Sequence, residues 1–385
     1  MKTMKVISLI LAMAMVIGMC GIFAGCEKKE QSSTFKIGMS GPLTGGASVY
    51  GIAVKNSAQM AIDEINAAGG LNGYKFELVA TDDQHDPSKV QTNFDTMMDK
   101  GVHVTLGTVT TKPGMEFKSL SKEENLFYLT PSASGDDIVG GGNGFQMCFA
   151  DGDQGQVAAE YVKSLGLTKI GVFFKNDDPY STGILENFKA NAEGIELVEA
   201  EFSDANATDF ATQIDKLKDC TFIFMPIYYQ PAAIFMKQAK DTIAANAIYY
   251  GCDGFDGLEG ELGEDFTTIP QEISMLSHFN AKATEGKAAE FIKKYTEKFG
   301  TDTLNQFGAS AYDSVYAIYG AMKELADEGK EITPEIDAAE LSTLLQGKFT
   351  GGYTFPEGAT GTSITWESTG KVKKGATKYT LKEAN

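Results

Sequence analysis

Gly38 to Gly51 reads GMSGPLTGGASVYG. Five glycines, a proline and three Ser/Thr hydroxyls separate an apolar run, Phe35–Met39, from a segment with helical periodicity. A glycine-rich loop between strand and helix is a ready place for phosphate. A phosphate loop needs G-x-x-x-x-G-K-[ST], and the chain has no Gly-Lys followed by Ser or Thr. G-x-G-x-x-G fails both in this loop and in GGGNG, and no G-x-S-x-G elbow exists. The strand–loop–helix reading stands, and the loop holds something other than phosphate.

The same unit recurs along the chain. After the loop, Val54, Ala58, Ala61, Ile62 and Ile65 fall on one helical face, which stops at Gly69–Gly70. LNGYKFELVATDD supplies a turn and a second strand. VHVTLG (102–107), LFYLT (126–130), KIGVFF (169–174), TFIFMP (221–226) and AIYYG (247–251) follow, most of them separated by helical segments. Strands that are apolar throughout and alternate with helices indicate parallel sheets covered on both faces. A single sheet would need too many strands, so the pattern predicts an α/β chain of two doubly wound lobes. DGDQG (151–155) is the expected first crossover, the run before Asn280 the return, and the tail GTSITWESTGKVKKGATKYTL a hairpin turned by ESTG that crosses again.

The N-terminus reads as an address. Lys2 and Lys5 precede an apolar run, Val6–Ala24, ending in FAGC, the pattern of a signal peptide. Ala24 and Gly25 before Cys26 resemble a bacterial lipobox, which implies cleavage at 1–25 and acylation of Cys26; Cys20 is the second choice. EKKEQSST after it is a polar tether. An ordinary cleaved signal or a membrane anchor is the alternative. The expectation is an exported protein, lipid-anchored to the outer face of the cytoplasmic membrane or periplasmic, touching membrane only through its lipid.

Composition excludes several functions. The formal charge of −19 disfavours nucleic acid and anionic lipid surfaces. All 33 basic residues are lysines, so no bidentate arginine clamp exists for carboxylate or phosphate. Three dispersed histidines, His85, His103 and His278, give no metal cluster or catalytic triad. Cys148, Cys220 and Cys252 show no framework spacing and read as buried thiols. No cofactor, metal or enzymatic activity is expected.

In open parallel sheets, ligands bind beyond the carboxyl ends of the strands. The residues there are hydroxyls, glycines, tyrosines and aspartates: Ser40 to Tyr50, Thr110 and Thr111, PSAS (131–134), KNDDPYSTG, IYYQ and CDGFDG. This inventory suits a zwitterion. Hydroxyls and backbone N–H groups at helix N-termini take a carboxylate, an aspartate takes an ammonium, and tyrosines wall an apolar side chain. Ser132, Ser134 and Thr111 are also ordinary helix caps, Asp82 and Asp83 strand-end caps, and one of Tyr228 and Tyr229 faces the cleft.

From Phe35 onward the chain resembles the periplasmic substrate-binding proteins of branched-chain amino acid ABC transporters. FKIGMSGPLTGGASVYG, AIDEINAAGGLNGYKFELVATDDQHDP, GTVTTKPGM, LTPSAS and YGCDGFDGL carry the resemblance. It implies the type I periplasmic-binding fold: two Rossmann-like lobes, here 35–150 with 279–372 and 151–278 with 373–385, joined by a three-strand hinge. It implies that Tyr50 closes over the ligand and that Thr111, or Thr110, contacts the carboxylate. Ser132, Ala133 and Ser134 then contact carboxylate and ammonium. Tyr180 and Tyr229 line the second-lobe wall, Asp253 binds the ammonium, and Phe307 meets the side chain. Asp253 is one methylene shorter than the glutamate of some members. The implied function is capture of a branched-chain or other small apolar amino acid by a monomer that delivers it to ABC permease subunits. The same scaffold with an amide, urea or aromatic acid, and a sensor ectodomain without transport, are the alternatives.

Overall fold

The computed structural model describes residues 34–384. The signal peptide, Cys20, the Cys26 lipobox and most of the tether lie outside the described residues.

The strands, in chain order, are β1 (Thr34–Gly41), β2 (Lys75–Asp82), β3 (Val104–Thr105), β4 (Tyr128–Thr130), β5 (Gly144–Gln146), β6 (Lys169–Lys175), β7 (Glu196–Phe202), β8 (Phe222–Met225), β9 (Ile248–Gly251), β10 (Glu272–Ser277), β11 (Phe355–Gly358), β12 (Gly361–Ile364) and β13 (Thr377–Lys382). The helices are α1 (Ser48–Ala67), α2 (Val90–Asp99), α3 (Thr111–Glu123), α4 (Asp151–Ser164), α5 (Pro179–Asn191), α6 (Ala211–Leu217), α7 (Tyr229–Ala239), α8 (Leu258–Leu262), α9 (Asp265–Thr268), α10 (Gly286–Phe299), α11 (Gln306–Asp327) and α12 (Ala338–Thr350).

β11 pairs antiparallel with β12 in a separate two-stranded ribbon, so Gly361–Ile364 pairs with β11 and not, as the expected tail hairpin had it, with the strand beyond ESTG. Two large sheets organise the other elements. One has five parallel strands in the order β2-β1-β3-β4-β5. The other has six in the order β13-β10-β9-β8-β6-β7, parallel except for β13, which runs antiparallel to β10. Helices cover both faces, so the central strands are buried on both sides: all four residues of β8 are buried. The α1 face carrying Val54, Ala58, Ala61, Ile62 and Ile65 is buried and packs on α11. Close approach is possible because Gly308 of α11 presents no side chain to Ala53. Gly69 and Gly70 take left-handed backbone at the end of α1. A side chain at Gly70 would meet the Tyr74 carbonyl at 1.9 Å, so glycine is obligatory there.

Several strands are not continuous apolar runs, among them β7, β5 and β11, the last reading FPEG with Pro356 and Glu357 exposed. β7 is the edge of the second sheet, and Glu196, Glu199 and Glu201 alternate with its apolar residues because water reaches that edge. β5 has three residues and follows the glycines of GGGNG.

The chain passes between the two halves three times: after β5 into the second sheet, after β10 to lay α11 and α12 against the first sheet, and before β13 back into the second. The ESTG turn lies before the third crossing, closed by the Trp366–Val372 bridge and a Gly370 N–H to Glu367 O bond. The crossings are stitched together. Lys374 Nζ donates to Met147 O (2.6 Å) and Thr360 Oγ1 (2.7 Å), and the Phe149 ring meets the His278 ring edge-on at 5.0 Å. Burial pulls the Lys374 ammonium down to about 8, against the attraction of Asp313. Cys148, Cys220 and Cys252 are buried free thiols, as expected. Among the described residues no helix is long and apolar enough to cross a membrane.

Candidate functional site

Each sheet has a place where the strand order turns back on itself. In the first sheet it lies between β1 and β3, in the second between β6 and β8. Loops leaving such neighbours diverge to opposite faces and open a crevice. The two crevices face each other. Tyr50 and Thr111 follow β1 and β3; Tyr180 and Tyr228 follow β6 and β8. Between them lies a cavity lined by Tyr50, Val109, Thr111, Ser132, Ser134, Tyr180, Tyr228, Asp253 and Phe307. Its volume is about 10 Å³, room for about one water. No lysine lines it.

Seven sequence-identified residues therefore meet: Tyr50, Thr111, Ser132, Ser134, Tyr180, Asp253 and Phe307. Three do not line the cavity. Thr110 caps α3 in extended backbone, and its hydroxyl bonds His85 Nδ1 at 2.9 Å. Ala133 is buried beside the cavity, its N–H donating to Thr130 Oγ1 at 3.0 Å. Tyr229 is the first residue of α7 and sits behind Tyr50, ring centroids 5.2 Å apart. Tyr228, extended just before α7, takes the cavity position instead.

The opening loop now has its explanation. Gly51, in the first turn of α1, lets the Pro42 carbonyl approach to where a side chain would stand at 2.1 Å. This folds the loop onto the helix and brings Tyr50 into the cavity. The Tyr50 hydroxyl donates to Gly254 O of the facing lobe at 2.6 Å, and its ring packs on Phe307 at 4.8 Å.

The first-lobe wall is built of hydroxyls. Thr130 Oγ1 accepts the Ser132 and Ala133 N–H groups and so shapes the loop after β4. Thr111 Oγ1 accepts the Gly135 N–H at 3.3 Å. The second-lobe wall is acidic. Asp178 caps α5 and orients Tyr180. The Tyr180 hydroxyl donates to Asp253 Oδ1 at 2.6 Å and accepts the Gly254 N–H at 2.9 Å. Asp253 is buried, and its Oδ2 has no partner. Burial pushes its carboxyl up to about 7, against the bonds from Tyr180 and Gln154.

Sequence reasoning read Asp151 as crossover and missed its place beside the site. It opens α4, is 1 % exposed, and also leaves Oδ2 without a partner. Gln154 joins the two acids: its Nε2 donates to Asp151 Oδ1 (3.3 Å) and its Oε1 accepts the Asp253 N–H (3.0 Å). Burial, then the Asp253 charge, pushes the Asp151 carboxyl well up. Two buried acids thus each keep an oxygen without a partner, Asp253 in the cavity lining and Asp151 next to it through Gln154. Among the described residues no group of His, Cys, Asp or Glu has metal-holding geometry.

Comparison with known proteins agrees with this architecture. The sequence pattern described as "Periplasmic binding protein" matches residues 34–373. The chain is 31% identical over 334 residues to the Leu/Ile/Val-binding protein BraC3 of Rhizobium johnstonii, covering 83% of this chain and 87% of that one. It is 27% identical over 286 residues to the leucine-, isoleucine-, valine-, threonine-, and alanine-binding protein of Pseudomonas aeruginosa, covering 69% and 76%. Among solved structures, the branched-chain amino acid transporter substrate-binding protein LivJ of Streptococcus pneumoniae, in complex with isoleucine, superposes with a TM-score of 0.74 at 26% identity. That match covers 90% of this chain and all (100%) of that one. The leucine-binding protein LivK of Thermotoga maritima gives a TM-score of 0.77 at 22% identity, covering 90% and 95%.

Proposed function

The chain belongs to the periplasmic binding protein family, with its type I fold, and from that premise we propose an extracytoplasmic receptor that captures an amino acid between its lobes and hands it to an ABC permease. The observation that carries the reading is the cavity itself. Thr111, Ser132 and Ser134 of one lobe and Asp253 of the other line it together, and one Asp253 oxygen has no partner. The amino acid's carboxylate lies on the hydroxyl side, where charge-assisted bonds need no arginine. Its ammonium lies between Asp253 and Asp151. Tyr50, Val109, Tyr228 and Phe307 are left for the side chain, which makes it small and apolar, of the branched-chain kind.

A cavity of about 10 Å³ admits no amino acid until its walls part. Binding is then coupled to lobe motion about the three crossings, and a ligand that touches both walls shifts an open–closed equilibrium. The permease responds to the closed form, and the ligand leaves chemically unchanged. The lipid anchor at Cys26, the site roles above and the monomeric state belong to this reading.

The test is thermal unfolding of residues 27–385, refolded from denaturant, against the twenty amino acids, urea, small amides and hydroxybenzoates. A ligand at about 1,000 times its Kd adds roughly 4 kcal/mol, a shift of many degrees. A shift with Leu, Ile, Val or Ala is expected. A shift only with amides or aromatic acids would move the ligand class, and no shift with any compound would remove the receptor reading.

A further inference from the structure

Gln154 lies in the first turns of α4, fully buried, and does not line the small cavity. Its neighbours dictate its amide orientation. Oε1 accepts the Asp253 N–H at 3.0 Å, so Nε2 is left to donate to Asp151 Oδ1 at 3.3 Å. The flipped amide would set donor against donor and oxygen against carboxylate. Its place is fixed as well. The next residue, Gly155, has α5 backbone where a side chain would stand, with Ile184 O at 2.5 Å and Phe188 N at 2.6 Å. α4 is thereby pressed onto α5, the helix that carries Tyr180.

Gln154 completes a hydrogen-bonded path. The Asp151 N–H donates to Ser134 O at 2.9 Å, and Gln154 carries the path from Asp151 to Asp253. The Tyr180 hydroxyl takes it on from Asp253 Oδ1 to the Gly254 N–H, and Gly254 O accepts from Tyr50. The path leaves the first lobe at Ser134 and returns to it at Tyr50. Asp253, Tyr180 and Tyr50 line the cavity, whereas Gln154 acts through the two acids. Around the Asp253 carboxyl stand Tyr50, Tyr180, Tyr228 and the thiols of Cys148 and Cys252, all held protonated by burial, and the acids Asp151 and Asp256. None of these supplies positive charge, so its ionised form depends on hydrogen-bond donors. Burial raises this carboxyl, and Tyr180 and Gln154 pull it back.

Resting on the amino-acid reading above, we propose that Gln154 is a positioning residue for ligand capture: without touching the ligand, it holds the Asp253 backbone and the Asp151 carboxylate together and so keeps the Asp253 carboxylate aimed at the ligand ammonium.

The experiment compares the wild type with Gln154→Met, which keeps the length of the side chain and loses both bonds. Carboxyl-carbon NMR of the ligand-free proteins follows Asp253, its signal assigned by its loss in Asp253→Asn. The Asp253 midpoint is expected to rise by at least about half a pH unit in Gln154→Met. Calorimetry with leucine at pH 8 is expected to show about tenfold weaker binding, and the pH midpoint of binding moves with the NMR midpoint. A lower unfolding temperature with an unmoved Asp253 midpoint would make Gln154 a packing residue and overturn the proposal. Where Gln154→Met does not fold, the wild type decides. Its Gln154 side-chain amide signals follow the Asp253 titration if the amide holds that acid, and signals that stay flat through the titration refute it. If the wild type binds no leucine, the branched-chain reading fails by itself. The NMR midpoint needs no ligand and still supports or refutes the hold of Gln154 on Asp253.

Discussion

The chemistry of this site concentrates in one carboxyl. Asp253 ionises with difficulty because it is buried, and its free oxygen is what a ligand ammonium needs. Its folded value of about 7 lies above the unfolded one of about 3.9. The stability it contributes is therefore complete below about pH 4 and is lost as pH rises through about 7. Two outcomes follow. Amino-acid affinity weakens on acidification below about pH 7, approaching tenfold per pH unit, because the proton must leave before the ammonium can pair; calorimetry from pH 8 to 5 measures this. Asp253→Asn lowers affinity at least about 30-fold, yet at pH 8 its unfolding midpoint lies above the wild type's, and the difference disappears near pH 4. Loss of stability in that variant at pH 8 would contradict the account. At this scale the sequence was partly legible. Residue types that face each other across strand ends could be collected from their position, which brought in Asp253, Ser134 and Tyr180. Tyr228 could not be separated from Tyr229, because one residue of helix start decides which ring turns inward. Asp151 was hidden because its place beside Asp253 comes from the packing of α4, which no local pattern reveals.

Elements were legible where burial on both faces made them continuous, as in β1, β6 and β8, and obscure where an edge faced water, as in β7. The loop into α1 shows how an element delivers a side chain. Gly51 has no room for a methyl group against Pro42 O. Gly51→Ala is expected to cost roughly 1–3 kcal/mol, seen as a lower unfolding midpoint, and to weaken ligand binding in parallel because Tyr50 is displaced. An unchanged affinity in that variant would separate the loop from the site.

For the whole molecule, several bonds join the lobes, among them Asn187 Nδ2 to Asp136 Oδ2 at 3.5 Å and two that tie the first lobe to the 253–256 loop of the second. One is Tyr50 to Gly254. The other runs from the Gln306 N–H, at the start of α11, to Asp256 Oδ2 at 3.1 Å. Asp256 is pushed up to about 6 by burial, so this helix-end contact holds a carboxylate from the facing lobe. Asp256→Ala should favour the open form. All ligands should then weaken by one common factor, since only the competent fraction changes, and X-ray scattering of the ligand-free protein should show a larger radius of gyration. A factor that differs between ligands would mean that Asp256 contacts them. The hinge adds a consequence of another kind. Every side-chain cation on this chain is a primary amine, and all react with the same acylating reagents. Surface lysines are modified at the reagent's pace, whereas Lys374, half-buried with its ammonium bonded to Met147 O and Thr360 Oγ1, is modified more slowly, at a rate that rises when the hinge opens. Peptide mass spectrometry of that one amine therefore clocks hinge breathing in the native molecule without any introduced label, and a bound amino acid should slow the clock.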